Sequence, residues 1–223
     1  MAAAPSKRRL DRGTLLALGA MALGIFVIAN DFTALSVALP AIEKDLDSTV
    51  TTTQWVINAY ALVFGCFIVT GGRLADIFGR RRIFLIGSAI FAGFSVLGGV
   101  APDIHVVLGC RALMGIGGAM MWPAVLGMTY GLLPDDKAGL AGGLVLGVAG
   151  FGNAIGPLFG GMLTELASWR WVFFVNLPIA AFAMFVTRRE VTEQTEDQGD
   201  RRIDYTGSAV LSVALLSLLL AMD

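Results

Sequence analysis

The sequence is short of charge. Only 15% of its 223 residues are Asp, Glu, Lys or Arg, where a soluble domain carries about a quarter. So little charge cannot cover a water-facing surface. With 56% hydrophobic residues the chain is also far too apolar to stay disordered. Histidine is nearly absent: His105 stands alone, at the outer end of an apolar run, and no GxSxG surrounds a serine. An intramembrane serine protease, which needs a histidine facing its serine, therefore finds no support. An ATP-driven machine would need a GxxxxGK[ST] phosphate loop, and none is present. The two cysteines, Cys66 and Cys110, have neither CxxC nor metal-ligand spacing, and read as buried thiols without a disulfide. No basic stripe lies on a soluble face, which argues against nucleic acid as a partner. Alternating strands of about ten residues, the mark of a membrane barrel, are missing as well.

Long apolar runs are what the sequence has instead. A spanning helix needs about 20 mostly apolar residues. Six runs qualify, roughly Leu15–Leu39, Val56–Leu74, Ile83–Ala101, Val106–Leu126, Leu140–Leu163 and Trp171–Val186. The last is short but can extend at either end. A seventh, Gly207–Met222, is marginal for a span. Residues 1–14 form a basic N-terminus, 15–187 a six-span bundle, 188–206 a polar linker rich in acidic residues, and 207–223 a partial seventh helix. The basic N-terminus and the apolar stretch behind it read better as a retained first helix than as a signal peptide, because that stretch is too long and further spans follow.

Lysine and arginine set the expected orientation. With the N-terminus inside, Lys7, Arg8, Arg9, Arg12, Arg73, Arg80, Arg81, Arg82, Lys137, Arg188, Arg189, Arg201 and Arg202 are cytoplasmic, and only Lys44 and Arg170 are outside. The linker is then cytoplasmic too. The likeness of Val37-Ala38-Leu39-Pro40 to Gly131-Leu132-Leu133-Pro134, on spans of opposite direction, suggests a faint 3+3 inverted repeat.

Two charges lie where hydrocarbon should exclude them. Asp31 is about 16 residues into the first run, and Arg111 is a few residues into the fourth. An unpaired charge there costs several kcal/mol, and an intramembrane acid is by default a functional residue. Their similar depth allows a mutual pair. That pair is either a protonatable site beside a positive charge or a static tie between two helices. Asn30, Asn58 and Asn153 read first as helix-to-helix hydrogen bonders. In the fifth run Gly139, Gly143 and Gly147 recur every four residues, as do Gly152, Gly156 and Gly160. This spacing lets helix backbones approach closely, and Pro157 should kink the helix. Between the second and third runs, Asp76 among the arginines favours a local ion-pair network or a helix cap.

Together these features resemble the major facilitator superfamily, specifically its drug:proton antiporters of the fourteen-span type. Gly72-Arg73-Leu74-Ala75-Asp76 through Gly79-Arg80-Arg81 resembles the signature between helices 2 and 3. Gly152, Gly156, Pro157, Gly160 and Gly161 fit the GxxxGPxxGG antiporter signature of helix 5 in full. Arg111 with Gly115 resembles the RxxQGxG signature of helix 4, and Asp31, Thr33 and Ala38-Leu39-Pro40 the DxT…ALP signature of helix 1. Trp169-Arg170-Trp171 and Asn176-Leu177-Pro178 resemble the start of helix 6 in this branch. Three residues depart from the pattern. Ile77 replaces a basic residue, Met114 replaces the glutamine that would partner Arg111, and Ser36 stands where asparagine is common.

The resemblance implies an all-α membrane protein, the six-helix N-terminal bundle of a major facilitator fold plus a partial seventh helix. It implies proton-coupled export of small lipophilic or cationic compounds across a bacterial plasma membrane. No enzyme activity, metal or cofactor is involved; the proton gradient supplies the energy. Asp31 would carry the proton or read a cationic substrate, Arg111 would assist, and Gly72, Asp76, Gly79 and Arg80 would latch one state. Such transporters are similar to two bundles rocking about a midplane site, and only one is present. The expected partners are the lipid bilayer, a small-molecule substrate, and a missing C-terminal bundle or second subunit. The alternatives are a half-transporter needing a partner, a passive channel, and a non-transporting membrane scaffold.

Overall fold

The computed structural model describes residues 11–193 together with Gly207, Val210, Ala214 and Ser217. These four are helical, but the rest of the expected seventh helix, the linker beyond Glu193 and the N-terminal basic cluster lie outside the described residues. The helices are α1 (Arg12–Asp45), α2 (Val50–Phe78), α3 (Arg80–Gly99), α4 (Ile104–Leu132), α5 (Ala138–Leu166), α6 (Arg170–Phe174) and α7 (Asn176–Glu190). A short 3-10 turn, Asp135–Lys137, leads into α5. Taking α6 and α7 as one interrupted span, six helices among the described residues are long and apolar enough to cross a membrane.

Local chemistry sets the helix starts. Asp11 accepts from the Thr14 amide at 2.9 Å, Thr49 from the Thr52 amide at 3.2 Å, and Asp103 from the His105 and Val106 amides at 2.8 and 3.0 Å. Each side chain satisfies donors that a helix N-terminus leaves unpaired. α3 begins at Gly79, which has φ +98° and offers no side chain. Glu193 performs that task from the far end of the described chain, accepting from the Arg81 amide at 3.1 Å. A side chain at Gly79 would be strained by its backbone angle and would run into that carboxylate.

The helices outrun the apolar stretches, because polar turns at both ends continue the hydrogen-bond ladder outside the hydrocarbon. The sixth span differs in another way. The run Trp171–Val186 reads as one helix, but the structure interrupts it at Val175. Pro178 explains the break, since its ring has no N–H for the Phe174 carbonyl one turn back. At Pro157, by contrast, α5 stays helical throughout.

α1 and α4 form the centre. α5 and α7 pack on α1, α2 and α3 pack on α4, and α1 meets α4 between them. Exchanging the first three spans with the last three maps these pairings onto one another, as an inverted repeat requires. Burial follows the layout: 61% of the apolar stretch of α1 and 56% of α4 is buried, against 11% of α2 and 17% of α5. The outer helices keep broad apolar faces open, which a bilayer solvates and water would not.

The two glycine stripes of α5 part company. Gly139, Gly143 and Gly147 have nothing within 4 Å of where a side chain would begin. Gly152, Gly156 and Gly160 lie against Ala29, Thr33 and Ala34 of α1. At Gly160 a β-carbon would collide with the Ala34 backbone carbonyl, which cannot move aside without moving α1. Gly160→Val should therefore destabilise the bundle by about 1–3 kcal/mol, whereas Gly139→Ala should leave it unchanged. Thermal unfolding of the two variants in detergent checks this contrast.

Candidate functional site

Asp31 lies on the face of α1 turned toward α4, and Arg111 on the facing side of α4. Both are 0% exposed. The Arg111 Nη1 donates to Asp31 Oδ2 at 2.5 Å. Its Nε donates to the Val56 carbonyl of α2 at 2.8 Å, and the guanidinium lies 4.3 Å from the centre of the Tyr60 ring. A cation over a ring face gains further attraction when both are desolvated. The Met114 sulfur is 3.9 Å from Nη1, a weak acceptor in place of the glutamine amide of the signature. Nη2 has no partner.

The other carboxylate oxygen faces a residue that was not anticipated. Asn176, at the start of α7, donates its Nδ2 to Asp31 Oδ1 at 3.1 Å and to Ser95 Oγ of α3 at 3.1 Å. Ser95 in turn donates to the Phe173 carbonyl at 2.8 Å. Asp31 thus links α1 to α4 directly and to α3 and both parts of the sixth span through neutral partners. A lone buried carboxylate would be far too costly. A pair with several hydrogen bonds offsets most of the desolvation.

Behind this network lies an open-sided cavity of about 560 Å³ lined by α1, α2, α4 and α5. Phe32, Phe64 and Trp122 form its aromatic wall, and Thr33 and Asn153 supply polar groups. The size and lining suit a drug-sized ligand. Successive helical residues point about 100° apart, so Asp31 faces α4 while Phe32 and Thr33 face the cavity. The Phe32 ring meets Tyr60 edge-on at 4.8 Å and Phe64 at 5.8 Å. An aromatic partition therefore stands between the ion pair and the cavity. Asn153 faces this cavity, and Asn30 Oδ1 is buried without a hydrogen bond, so neither makes the helix-to-helix bond read for it in the sequence. Cys110 is buried as expected, but Cys66 is only half-buried.

The remaining sequence candidates fall into two groups away from the ion pair. Asp76 and Arg80 form an ion pair at 3.5 Å, and Arg80 also donates to the Gly127 carbonyl of α4 at 3.3 Å. Gly72 faces Pro123 of α4. This cluster sits at the end of the bundle where α3 begins. Gly152, Gly156 and Gly160 seat α5 on the α1 segment that flanks Asp31. Pro157 is exposed, and Gly161 makes ordinary contact with Val37.

The superfamily profile described as Major Facilitator Superfamily matches residues 21–222. The chain belongs to the major facilitator superfamily. It is 34% identical over 199 residues to the tetracenomycin C resistance and export protein of Streptomyces glaucescens, covering 89% of this chain and 37% of that protein. It is 43% identical over 163 residues to a puromycin resistance protein of Streptomyces alboniger, covering 73% and 32%. To the multidrug efflux pump LfrA of Mycolicibacterium smegmatis it is 37% identical over 193 residues, covering 86% and 38%. The chain therefore spans well under half the length of these relatives. It is an integral membrane protein with the six-helix bundle that the sequence led us to expect.

Sequence reading missed Asn176 and Ser95 as parts of the Asp31 site. Asn176 left a signal, a polar residue beside a proline inside an apolar run. Ser95, small and neutral in a glycine-rich helix, left none.

The pair makes a sharp stability prediction for this major facilitator bundle. Arg111→Met strands a buried carboxylate and should cost about 3–5 kcal/mol, while Asp31→Leu combined with Arg111→Met should recover most of that loss. Thermal unfolding should rank wild type and the double variant well above the single one.

Proposed function

We propose that this chain is the N-terminal bundle of a proton-coupled exporter of small lipophilic or cationic compounds, of the fourteen-span drug:proton antiporter type. It sits in a bacterial plasma membrane with its N-terminus in the cytoplasm. The bias of lysine and arginine toward one side supports that orientation. The observation that carries the reading is the wholly buried Asp31–Arg111 pair set one aromatic layer behind a drug-sized cavity. The printed names of the relatives, export and resistance proteins, support the same reading.

Asp31 is the proton carrier and Arg111 its counter-charge. The cavity takes the substrate, with its three aromatic rings giving apolar contact and its two neutral polar side chains fixing orientation. Because Asp31 stands behind Phe32, it acts on the substrate through the helix wall rather than by contact. A second bundle, from the rest of the polypeptide or from another subunit, covers the open faces of α2 and α5 and completes the cavity. The Asp76–Arg80 cluster, with Gly72 and Gly79, latches one end in one state, and the glycine face of α5 lets it rock on α1. No cofactor takes part and the protein is not an enzyme. One proton crossing 100 mV supplies about 2.3 kcal/mol, enough for roughly a fiftyfold gradient.

Inverted membrane vesicles carrying the complete transporter test this. Asp31→Asn should reach the membrane yet accumulate a lipophilic dye cation no faster than empty vesicles when a pH gradient is imposed. Accumulation that still follows the gradient in that variant would remove Asp31 from the coupling. Flux indifferent to the gradient in wild type would point to a channel.

A further inference from the structure

Both oxygens of Asp31 face donors. Arg111 Nη1 holds Oδ2 and Asn176 Nδ2 holds Oδ1. An arginine never accepts a hydrogen bond. A proton arriving on Asp31 therefore has no acceptor in this arrangement. The amide that already contacts the carboxylate carries an atom able to become one, Asn176 Oδ1, which is buried and has no hydrogen-bond partner. Asn176 itself is 1% exposed. Its orientation here follows from its neighbours: the carboxylate must receive a donor, so the NH₂ side faces it.

Resting on the reading of Asp31 as proton carrier, we propose that Asn176 is a positioning residue that transmits the protonation state of Asp31 to the break in the sixth span. When Asp31 takes a proton, the Asn176 amide turns over. Its Oδ1 moves to the place of Nδ2 and accepts from the new Asp31 hydroxyl. Only a proton is added: a hydronium ion gives it up and becomes water. The turned amide no longer donates to Ser95. Ser95 instead swings its hydroxyl from the Phe173 carbonyl to Asn176 Oδ1, and the Phe173 carbonyl is left with the Val175 backbone N–H alone.

Counting hydrogen bonds gives the direction of the effect. With Asp31 ionised, both amide hydrogens and the Ser95 hydroxyl are satisfied, and one acceptor, Asn176 Oδ1, is buried without a partner. With Asp31 protonated, Asn176 Oδ1 gains partners, but both hydrogens of the turned NH₂ group lose theirs, and the Phe173 carbonyl keeps only the Val175 backbone N–H. Unpaired buried groups are costly, so the protonated state favours a different placement of α6 against α7. The helix break at Val175 lies next to Asn176. The titratable groups that face Asp31 are Arg111 on α4 and Tyr60 on α2. α3 and α7 present the neutral Ser95 and Asn176, and α5 packs on α1 through glycine.

Infrared difference spectroscopy between high and low pH tests this on the 223-residue chain in lipid membranes, with asparagine labelled with carbon-13 at the side-chain carbonyl. Wild type should show a protonated-carboxyl band, lost in Asp31→Asn, that titrates together with an isotope-sensitive asparagine carbonyl band. In Asn176→Gln, which keeps an amide, the isotope-sensitive change should vanish while the carboxyl band remains at a shifted frequency. In Ser95→Ala the asparagine band should persist at a different frequency. A carboxyl band without any asparagine change, or an asparagine change that survives Asn176→Gln and so belongs to Asn30 or another residue, overturns the inference but leaves Asp31 as proton carrier. No carboxyl band sensitive to Asp31→Asn overturns both.

Discussion

The fold turns on one ion pair placed where neither charge could stay alone. Asp31 and Arg111 are both wholly buried, and each is tolerable only because the other is within hydrogen-bond reach. This requirement fixes the separation and rotation of α1 and α4. Every other span packs on one of those two. The demand spreads outward: Val56 of α2 accepts from the guanidinium, Tyr60 lies under it, and Asn176 of α7 closes the carboxylate from the far side. A buried pair of this kind is weak as a source of stability and strong as a source of uniqueness, because removing either partner exposes the full cost of the other.

The bilayer explains why so much apolar surface remains open around this polar centre. Hydrocarbon solvates Leu146, Leu158 and Leu166 of α5 as readily as a protein core would, and these are among the most exposed residues of the bundle. Without a hydrophobic drive between helices, close backbone approach and polar ties must hold the bundle together. The inner glycine stripe of α5 supplies the first and the Asp31 network the second. Their meeting on the same stretch of α1, residues 29–34, joins the close-packed α5 interface to the charged centre.

Much of this was legible in the sequence. Six spans follow from apolar runs because hydrocarbon thickness sets a length that few other structures need. Asp31 and Arg111 stand out because charge contrasts with its surroundings, and their depth already suggested that they meet. Spacing alone could not tell the stripe of Gly139, Gly143 and Gly147 from that of Gly152, Gly156 and Gly160. Both repeat every four residues, and only the neighbour across the interface distinguishes them. Nor could it place the helix break, since Pro157 and Pro178 look alike in sequence while their surroundings differ. Ser95 was invisible because its role depends on a carbonyl of another span. Glu193 as a cap for α3 was hidden for the same reason, with donor and acceptor 112 positions apart in the chain.

The measurement that bears most directly on the reversible nature of the pair is proton exchange on ligand binding. A lipophilic dye cation is added to the purified transporter in weakly buffered detergent, and the pH is followed with an indicator. The account predicts that the wild type releases protons as the dye binds and that Asp31→Asn binds dye without releasing any. Equal release from both proteins would contradict it, and the Asp31–Arg111 pair would then be a static tie between two helices.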